Sequence, residues 1–357
     1  MVFPYINIFI DLKETKGMAK IAIFDLDAGE ERYMKEHLSK HSVYSSRKSI
    51  KPKDWKSLED REILIVFVFS QVTASLLEKM PKLKAVCTMS TGYDHIDLGA
   101  CAKRKIKVFN VPSYGENTVA EQAFALILAI SRKIVESVNR TRHGDWSLDK
   151  LRGFDLKGKT LGVVGAGKIG QHVIRIAKGF DMEVIATGGA HPDTKLAKAM
   201  GFRYVPFETL LLLSDIITFH VPYNPGTHHM LNKKNINKVK KGCIVINTAR
   251  GQVIETAALL SGLESGRVAY AGLDVLEEEC FVKEHKALLS EDFSNSCDIK
   301  TLLEDHVLLE KQNVLITPHN AFNTTEALHR ILETTIANVE GFLRKKPINS
   351  VNTEVRK

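Results

Sequence analysis

No stretch of this chain is long and apolar enough to span a bilayer. The apolar runs Met1 to Ile10 and Ala123 to Ile130 fall far short of the ~20 residues a spanning helix needs. The N-terminal run also lacks a basic leader and a small-residue cleavage site, and Asp11 closes it, so no signal peptide is expected. A cleaner strand opens at Met18, leaving residues 1–17 as either an extension or a misassigned start. Cysteine is scarce. The five present (Cys87, Cys101, Cys243, Cys280, Cys297) are an odd number without a CxxC pair. That predicts reduced thiols in a cytoplasmic protein, with neither a disulfide framework nor a zinc or other metal site. The formal charge is +8, but the basic residues lie in short runs such as Arg47-Lys48 and Lys238 to Lys241, scattered among acids. Without a basic stripe interleaved with aromatics, nucleic acid is not an expected partner and these runs read as solvated faces. Repeats and low-complexity segments are missing too.

What the sequence does hold is an alternation of short apolar strands with amphipathic helices, the pattern of parallel α/β architecture. At 357 residues, with 44% apolar and 26% charged composition, the chain is long enough for two domains with real cores. Strands are predicted at 21–24, 63–69, 83–89 and 108–110, with a helix over 30–39. The run Asn117 to Thr141 reads as one long helix capped by Asn117 or Thr118. A second succession supplies strands at 161–164, 184–187, 216–220, 244–247 and 270–273, and a last helix spans 323–343. Two α/β halves joined by a long helix imply a cleft. The expected architecture is therefore two doubly wound parallel-sheet domains.

The strongest local signal is Gly165-Ala-Gly167-Lys168-Ile169-Gly170, which follows an apolar strand and opens a helix over 171–179. In that setting a GxGxxG loop binds a dinucleotide. Gly165 allows the tight turn, Gly167 lets backbone approach the pyrophosphate, and Gly170 lets helix and strand pack closely. The helix N-terminus turns free N–H groups toward the phosphates. The acid that usually grips the ribose hydroxyls is missing: the second strand ends Ala186-Thr187-Gly188-Gly189-Ala190-His191. NAD is the expected cofactor, with NADP left open, because nothing there repels a 2′-phosphate and no arginine grips one.

Titratable residues follow three strands in the second half, where ligands of open parallel sheets bind. Arg250 follows 243–249, the acids Glu277, Glu278 and Glu279 follow 271–276, and His319 follows Val314 to Pro318. Arginine forks onto a carboxylate and its neighbouring carbonyl while staying charged. Histidine delivers a proton near neutral pH, and a carboxylate beside it holds the ring charged. Together with a hydride-carrying cofactor, this set suits reduction of a 2-oxo acid.

At these residues the chain resembles the D-isomer-specific 2-hydroxyacid dehydrogenases. The likeness runs from about Leu83 to the end of the terminal helix. It rests on Ser90 to Asp97, Asn110 to Tyr114, Asn117 to Glu121, Leu156 to Val164 with the glycine loop, His220-Val221-Pro222, Asn247-Thr248-Ala249-Arg250-Gly251, Gly272 to Val275, and Thr317 to His319. The resemblance implies a substrate domain of residues 1–116 and 318–357 with a dinucleotide domain, 117–317, inserted in it. It assigns Arg250 to the substrate carboxylate, His319 to acid/base work and Glu279 to supporting His319, since the family's glutamate lies five positions past the aspartate matched by Asp274. Cofactor contacts are implied at the glycine loop, Thr187, His220, Val221, Pro222, Thr248, Ala249 and Asp274. Backbone N–H groups at Thr91 and Gly92 are implied to hold the substrate carboxylate, and Phe69, Tyr114 and Phe322 to face its side chain. For Phe69 and Phe322, ordinary core packing stays an open alternative.

Two features resemble the D-lactate branch: His319-Asn-Ala-Phe322 after the histidine, and a polar insertion over about 281–312. Pyruvate reduction to D-lactate is the expected activity. Hydroxypyruvate or glyoxylate reduction is one alternative, and a dinucleotide-sensing interaction protein on the same fold is another. The long helix is implied to contribute to a homodimer interface, with a small 2-oxo or 2-hydroxy acid as the other partner and no membrane association.

Overall fold

The computed structural model describes residues 17–189, 192–279 and 298–351. It divides after Tyr114 and after Leu328 into two compact units: one holds the described residues of 1–114 and 329–357, the other those of 115–328.

The first unit is built on five strands, β1 (Lys20–Ile23), β2 (Ser42–Ser45), β3 (Ile63–Val66), β4 (Ala85–Thr88) and β5 (Lys107–Phe109). They pair in the order β2-β1-β3-β4-β5, every neighbour parallel. Helices α1 (Ala28–His37), α2 (Ala74–Glu78) and α3 (Leu98–Lys103) connect them. Asp27 starts α1 with a capping box, its side chain accepting from Glu30 N at 2.8 Å while Glu30 accepts from Asp27 N. Strands β3 and β4 are buried at every position, on both faces, which is why they read as continuous apolar runs, whereas the edge strand β2 is only half-buried.

The second unit carries seven parallel strands in the order β12-β11-β10-β9-β6-β7-β8. They are β6 (Thr160–Val164), β7 (Glu183–Thr187), β8 (Arg203–Tyr204), β9 (Ile216–Phe219), β10 (Cys243–Asn247), β11 (Val268–Leu273) and β12 (Val314–Ile316). Side chains alternate between two cores. Val164, Ile217, Phe219 and Val245 enter one, and Leu161, Val163, Ile216, Ile244 and Ile246 the other. Each such side chain contributes roughly 1.5–3 kcal/mol on burial, so the period of two specifies register strongly. Helix α4 (Glu116–Ser131) lays Phe124, Ile127 and Ile130 onto the second core, and α6 (Lys168–Gly179) adds Val173 and Ile174. Helix α5 (Ile134–Arg142) precedes β6, and α7 (Thr194–Met200), α8 (Phe207–Leu213) and α9 (Thr256–Glu264) lie in crossovers between the strands. The doubly wound, two-sheet α/β architecture expected from the sequence is what the chain adopts.

Three local expectations need correction. The run from Asn117 is two helices, because Ser131 gives its carbonyl to Phe154 N at 3.0 Å and Lys133 turns left-handed at φ 54°. The loop approaches so closely there that a Cβ on Gly153 would lie 2.1 Å from Ser131 O. The first of the two begins after Gly115 and not after a side-chain cap; Asn117 instead bonds Glu121 along the helix at 3.2 Å. Helix α6 starts a turn early, at Lys168, which puts Lys168, Ile169 and Gly170 in its first turn. The polar insertion contains a helix, α10 (Ile299–Glu310), started by Asp298 and seated through Leu302 and Leu308. Residues 281–297 of that insertion lie outside the described residues, as do Cys280, Cys297 and His191. Cys87, Cys101 and Cys243 are free and buried.

The closing helix, α11 (Thr325–Leu343), carries the second unit boundary within it. That boundary falls eleven residues beyond the position expected from the resemblance. Residues 318–328 cluster with the seven-stranded unit, and Asn320 and Ala321 bond back to Asp274 there.

Candidate active site

The loops that follow β6, β9 and β10 lie side by side, because those strands are neighbours in the sheet. After β6, Gly165 takes φ 100°, a left-handed conformation that glycine adopts freely. A Cβ there would lie 2.8 Å from His220 O. A Cβ on Gly170 would lie 2.1 Å from Gly165 O, whereas one on Gly167 would meet nothing within 4 Å. The three glycines thus serve turn, open approach and helix packing. Lys168 sits 3.6 Å from Glu116, and Ile169 is half-buried.

Thr187 ends β7 buried, with its hydroxyl accepting from Gly165 N at 3.1 Å, so it braces the loop itself. After β9, His220 is bound through Nε2 to Thr218 Oγ1 at 2.8 Å, and burial pushes its pKa down to about 3, keeping the ring neutral. Val221 packs on the Gly165 turn, and Pro222 O accepts from Thr227 Oγ1 at 2.7 Å. After β10, Asn247 shapes the next turn: its side chain accepts from Ala249 N at 3.0 Å and donates to Arg250 O at 2.9 Å. His220 Nδ1 and Thr248 Oγ1 are buried without a hydrogen-bond partner among the described residues. Buried polar atoms rarely stay orphaned. One such atom beside an open glycine loop at a helix N-terminus, and a second after the strand beyond, fit a dinucleotide, which these loops would hold.

Arg250 bonds its own neighbour, Nη1 to Ala249 O at 2.9 Å, and is half-buried. Next to it Gly251 passes the acidic loop so closely that a Cβ would lie 2.0 Å from Leu276 O. That contact joins the arginine turn to the segment carrying the glutamates.

The three glutamates divide. Glu279 faces His319 Nδ1 with both oxygens, at 3.0 and 3.1 Å. Glu277 accepts from Thr256 N at 3.0 Å and contacts His229 Nε2. Glu278 donates its backbone N–H to Asp305 at 2.9 Å. Two residues before His319, Thr317 donates its hydroxyl to Asp274 Oδ1. His319 itself adopts φ 54°, a conformation that costs a non-glycine residue roughly 1–3 kcal/mol and needs support. Asp274 supplies it. Its carbonyl accepts from His319 N, and its carboxylate accepts from Asn320 N and Ala321 N, each at 2.8 Å. Burial raises the Asp274 pKa against these bonds. Expected among the cofactor contacts, Asp274 has its carboxylate engaged by the histidine turn. The Phe322 ring stands edge-on to His319, centroids 6.3 Å apart.

The remaining expected residues belong to the five-stranded unit. Thr91 is exposed, its hydroxyl donating to Val111 O at 2.8 Å while its carbonyl accepts from Asn110 Nδ2. Gly92 O accepts from Ser90 Oγ at 2.6 Å. Phe69 is 44% exposed against Phe67, which sets it apart from ordinary core packing, and Tyr114 O receives Arg330 Nε.

Sequence reasoning missed Asp305 and Thr256, and it named Asn247 only within a motif, without the turn-shaping role its side chain takes. For Asp305 a signal existed: Leu302, Asp305 and Leu308 recur at intervals of three, so an acid occupies the buried stripe of its helix. Among the described residues no helix is long and apolar enough to cross a membrane.

Comparison with known proteins finds relatives along most of the chain. The sequence model of the D-isomer specific 2-hydroxyacid dehydrogenase NAD-binding domain matches residues 124–321. A glyoxylate reductase of Thermococcus litoralis is 37% identical over 309 residues, covering 84% of this chain and 86% of that one. A D-lactate dehydrogenase of Escherichia coli is 35% identical over 289 residues, covering 80% and 84%. The solved D-lactate dehydrogenase of Aquifex aeolicus, complexed with NAD and lactic acid, superposes with a TM-score of 0.83 at 34% identity, covering 92% of this chain and 96% of that one. With its glycine loop, paired histidine and glutamate, and these relatives, the chain belongs to the D-isomer-specific 2-hydroxyacid dehydrogenases.

Proposed function

We propose that this enzyme reduces a small 2-oxo acid to the D-2-hydroxy acid, and that pyruvate, giving D-lactate, is its substrate. The observation that carries the reading is the two-oxygen approach of Glu279 to His319 Nδ1, at 3.0 and 3.1 Å. With Nδ1 donating to the carboxylate, Nε2 is the ring atom left to give a proton to the substrate oxygen. Arg250 anchors the oxo acid by its fork and offsets the charge that develops on the carbonyl. Backbone N–H groups at Thr91 and Gly92 hold the substrate carboxylate in this reading. A bound nicotinamide supplies the hydride.

The choice of pyruvate rests on Phe322, whose ring lies edge-on to His319, and on Phe69 and Tyr114 as further walls for a methyl group. Apolar walls disfavour a phosphate, which needs cationic partners. The solved Aquifex enzyme bound to lactic acid supports the same choice. A glyoxylate or hydroxypyruvate reductase is the second reading, favoured by the Thermococcus relative. NAD is the proposed cofactor, and NADP is the rival because Thr187 offers no charge to repel a 2′-phosphate. We also place the enzyme in the cytoplasm as a homodimer; Ile134, Val135, Val138, Trp146 and Leu148 are exposed on and after α5, an apolar patch that suits a second copy.

Absorbance loss at the nicotinamide band tests the reading, with NADH and NADPH each paired with pyruvate, 2-oxobutyrate, phenylpyruvate, glyoxylate and hydroxypyruvate. Fastest turnover of pyruvate to the D-isomer is expected. Preference for glyoxylate or hydroxypyruvate selects the second reading. Cofactor binding without turnover of any acid points to the sensing protein.

A further inference from the structure

Helix α10 arises from the polar insertion and brings one fully buried carboxylate, Asp305, behind the loop that carries Glu279. Its Oδ2 accepts from Glu278 N at 2.9 Å, and its Oδ1 lies 3.1 Å from Thr256 Oγ1 at the start of α9. Thr256 Oγ1 in turn lies 2.9 Å from Glu277 Oε2, and His229 Nε2 contacts the other oxygen of Glu277. One carboxylate on the insertion helix therefore grips the backbone one residue before Glu279 and, through a threonine, the side chain two residues before it.

We propose that Asp305 is a positioning residue for the reaction: it fixes the Glu277–Glu279 loop so that Glu279 meets His319, which makes the insertion helix part of the active-site machinery. The inference rests on the acid/base reading of Glu279 and His319 and deepens it. The proton count is specific. Thr256 has one hydroxyl hydrogen and faces two carboxyls, so both contacts are hydrogen bonds only when one carboxyl carries a proton. Burial, reinforced by the like charges of Glu277 and Glu278, pushes Asp305 up to about 6. The groups facing it are those two glutamates, with His229 beyond Glu277; the first turn of α9 presents no acid. On its own helix, Glu304 pairs with Lys300 and His306 bonds Leu302 O. Below about pH 6, Asp305 carries the proton and donates to Thr256, Thr256 donates to Glu277, and Glu278 N donates to Asp305.

The test compares Asp305→Ala and Asp305→Asn, each alone and combined with Glu279→Gln. Readouts are kcat with NADH and pyruvate or glyoxylate, and the Kd of NADH by fluorescence. Asp305→Ala is expected to lower kcat on the order of 10–100-fold, the scale of a small misplacement of a catalytic group, while NADH binding holds. Asp305→Asn is expected to stay within a few-fold of wild type, since the amide accepts from Glu278 N and donates to Thr256. In the Glu279→Gln background Asp305→Ala should cost nothing further. Wild-type kcat in Asp305→Ala, equal losses in both backgrounds, or an Asn variant as slow as the Ala variant would each overturn the proposal. If Asp305→Ala does not fold, Thr256→Val removes the bridging hydroxyl at equal volume. A loss of kcat that Glu279→Gln masks supports the proposal, and no loss overturns it. Wild-type kcat in Glu279→Gln alone overturns the acid/base reading itself, and this inference with it.

Discussion

Asp274 holds Ala321 through one carboxylate oxygen, 2.8 Å from its backbone nitrogen, and uses the other oxygen on Asn320. Two amides on two oxygens leave no room for an amide side chain. Asp274→Asn would turn an NH2 group toward a backbone N–H and loosen the turn that keeps His319 at positive φ. A loss of roughly 1–3 kcal/mol of stability is expected, the cost of a broken buried bond, together with a lower kcat. Thermal melts and steady-state rates check it; an unchanged melt would remove Asp274 from this role.

His319→Gln keeps a hydrogen-bonding side chain but cannot deliver a proton. A kcat lower by about 10²–10⁴-fold is expected, the usual contribution of a positioned acid/base group, with the Kd of NADH nearly unchanged. Rate and fluorescence titration on one preparation separate the two effects.

For Arg250→Lys the charge survives and the fork does not. Charge-assisted hydrogen bonds are worth about 1.5–3 kcal/mol, so kcat/KM for the oxo acid should fall about 10–100-fold. Equal kinetics for both proteins would take Arg250 out of substrate binding.

The glycine loop separates folding from binding. A methyl on Gly170 meets Gly165 O at 2.1 Å, while one on Gly167 meets no protein atom within 4 Å. Gly170→Ala should therefore lower Tm markedly. Gly167→Ala should melt like wild type yet bind NADH more weakly, because the added methyl would stand in the approach proposed for the pyrophosphate. Equal melting of the two variants would contradict the geometry.

Asp305 also sets a pH dependence of stability. Its pKa is raised in the fold from 3.8 to about 6, so between those values the folded chain binds more protons than the unfolded one. Stability from this group is complete below the unfolded value and is lost as pH rises through about 6. Asp305→Asn removes that loss. Its advantage over wild type should be larger at pH 8 than at pH 4.5, by at most about 2 kcal/mol, as denaturant melts at the two pH values would read.

Much of the architecture was legible in the residues alone. The apolar strands, the helix separating each pair and the glycine loop rest on short-range spacing, and spacing survives in one dimension. Arg250 and His319 stood out because both follow strands, and strand ends are where an open parallel sheet binds ligands. Gly165 and Gly170 were legible for the same reason, since a turn and a helix start are local events.

Tertiary structure decided what depends on residues far apart in the chain. The Asn117 run breaks because Phe154 takes the carbonyl of Ser131, a contact periodicity does not register. Asp274 faces the histidine turn across more than forty residues. Which glutamate of three meets His319 came by resemblance; from the residues alone nothing separates three identical neighbours until the loop is folded. Asp305 gains its role only when α10 docks against α9 and the acidic loop. Local backbone preference and hydrophobic period determine elements, whereas the partner of a buried charge is set by packing between them.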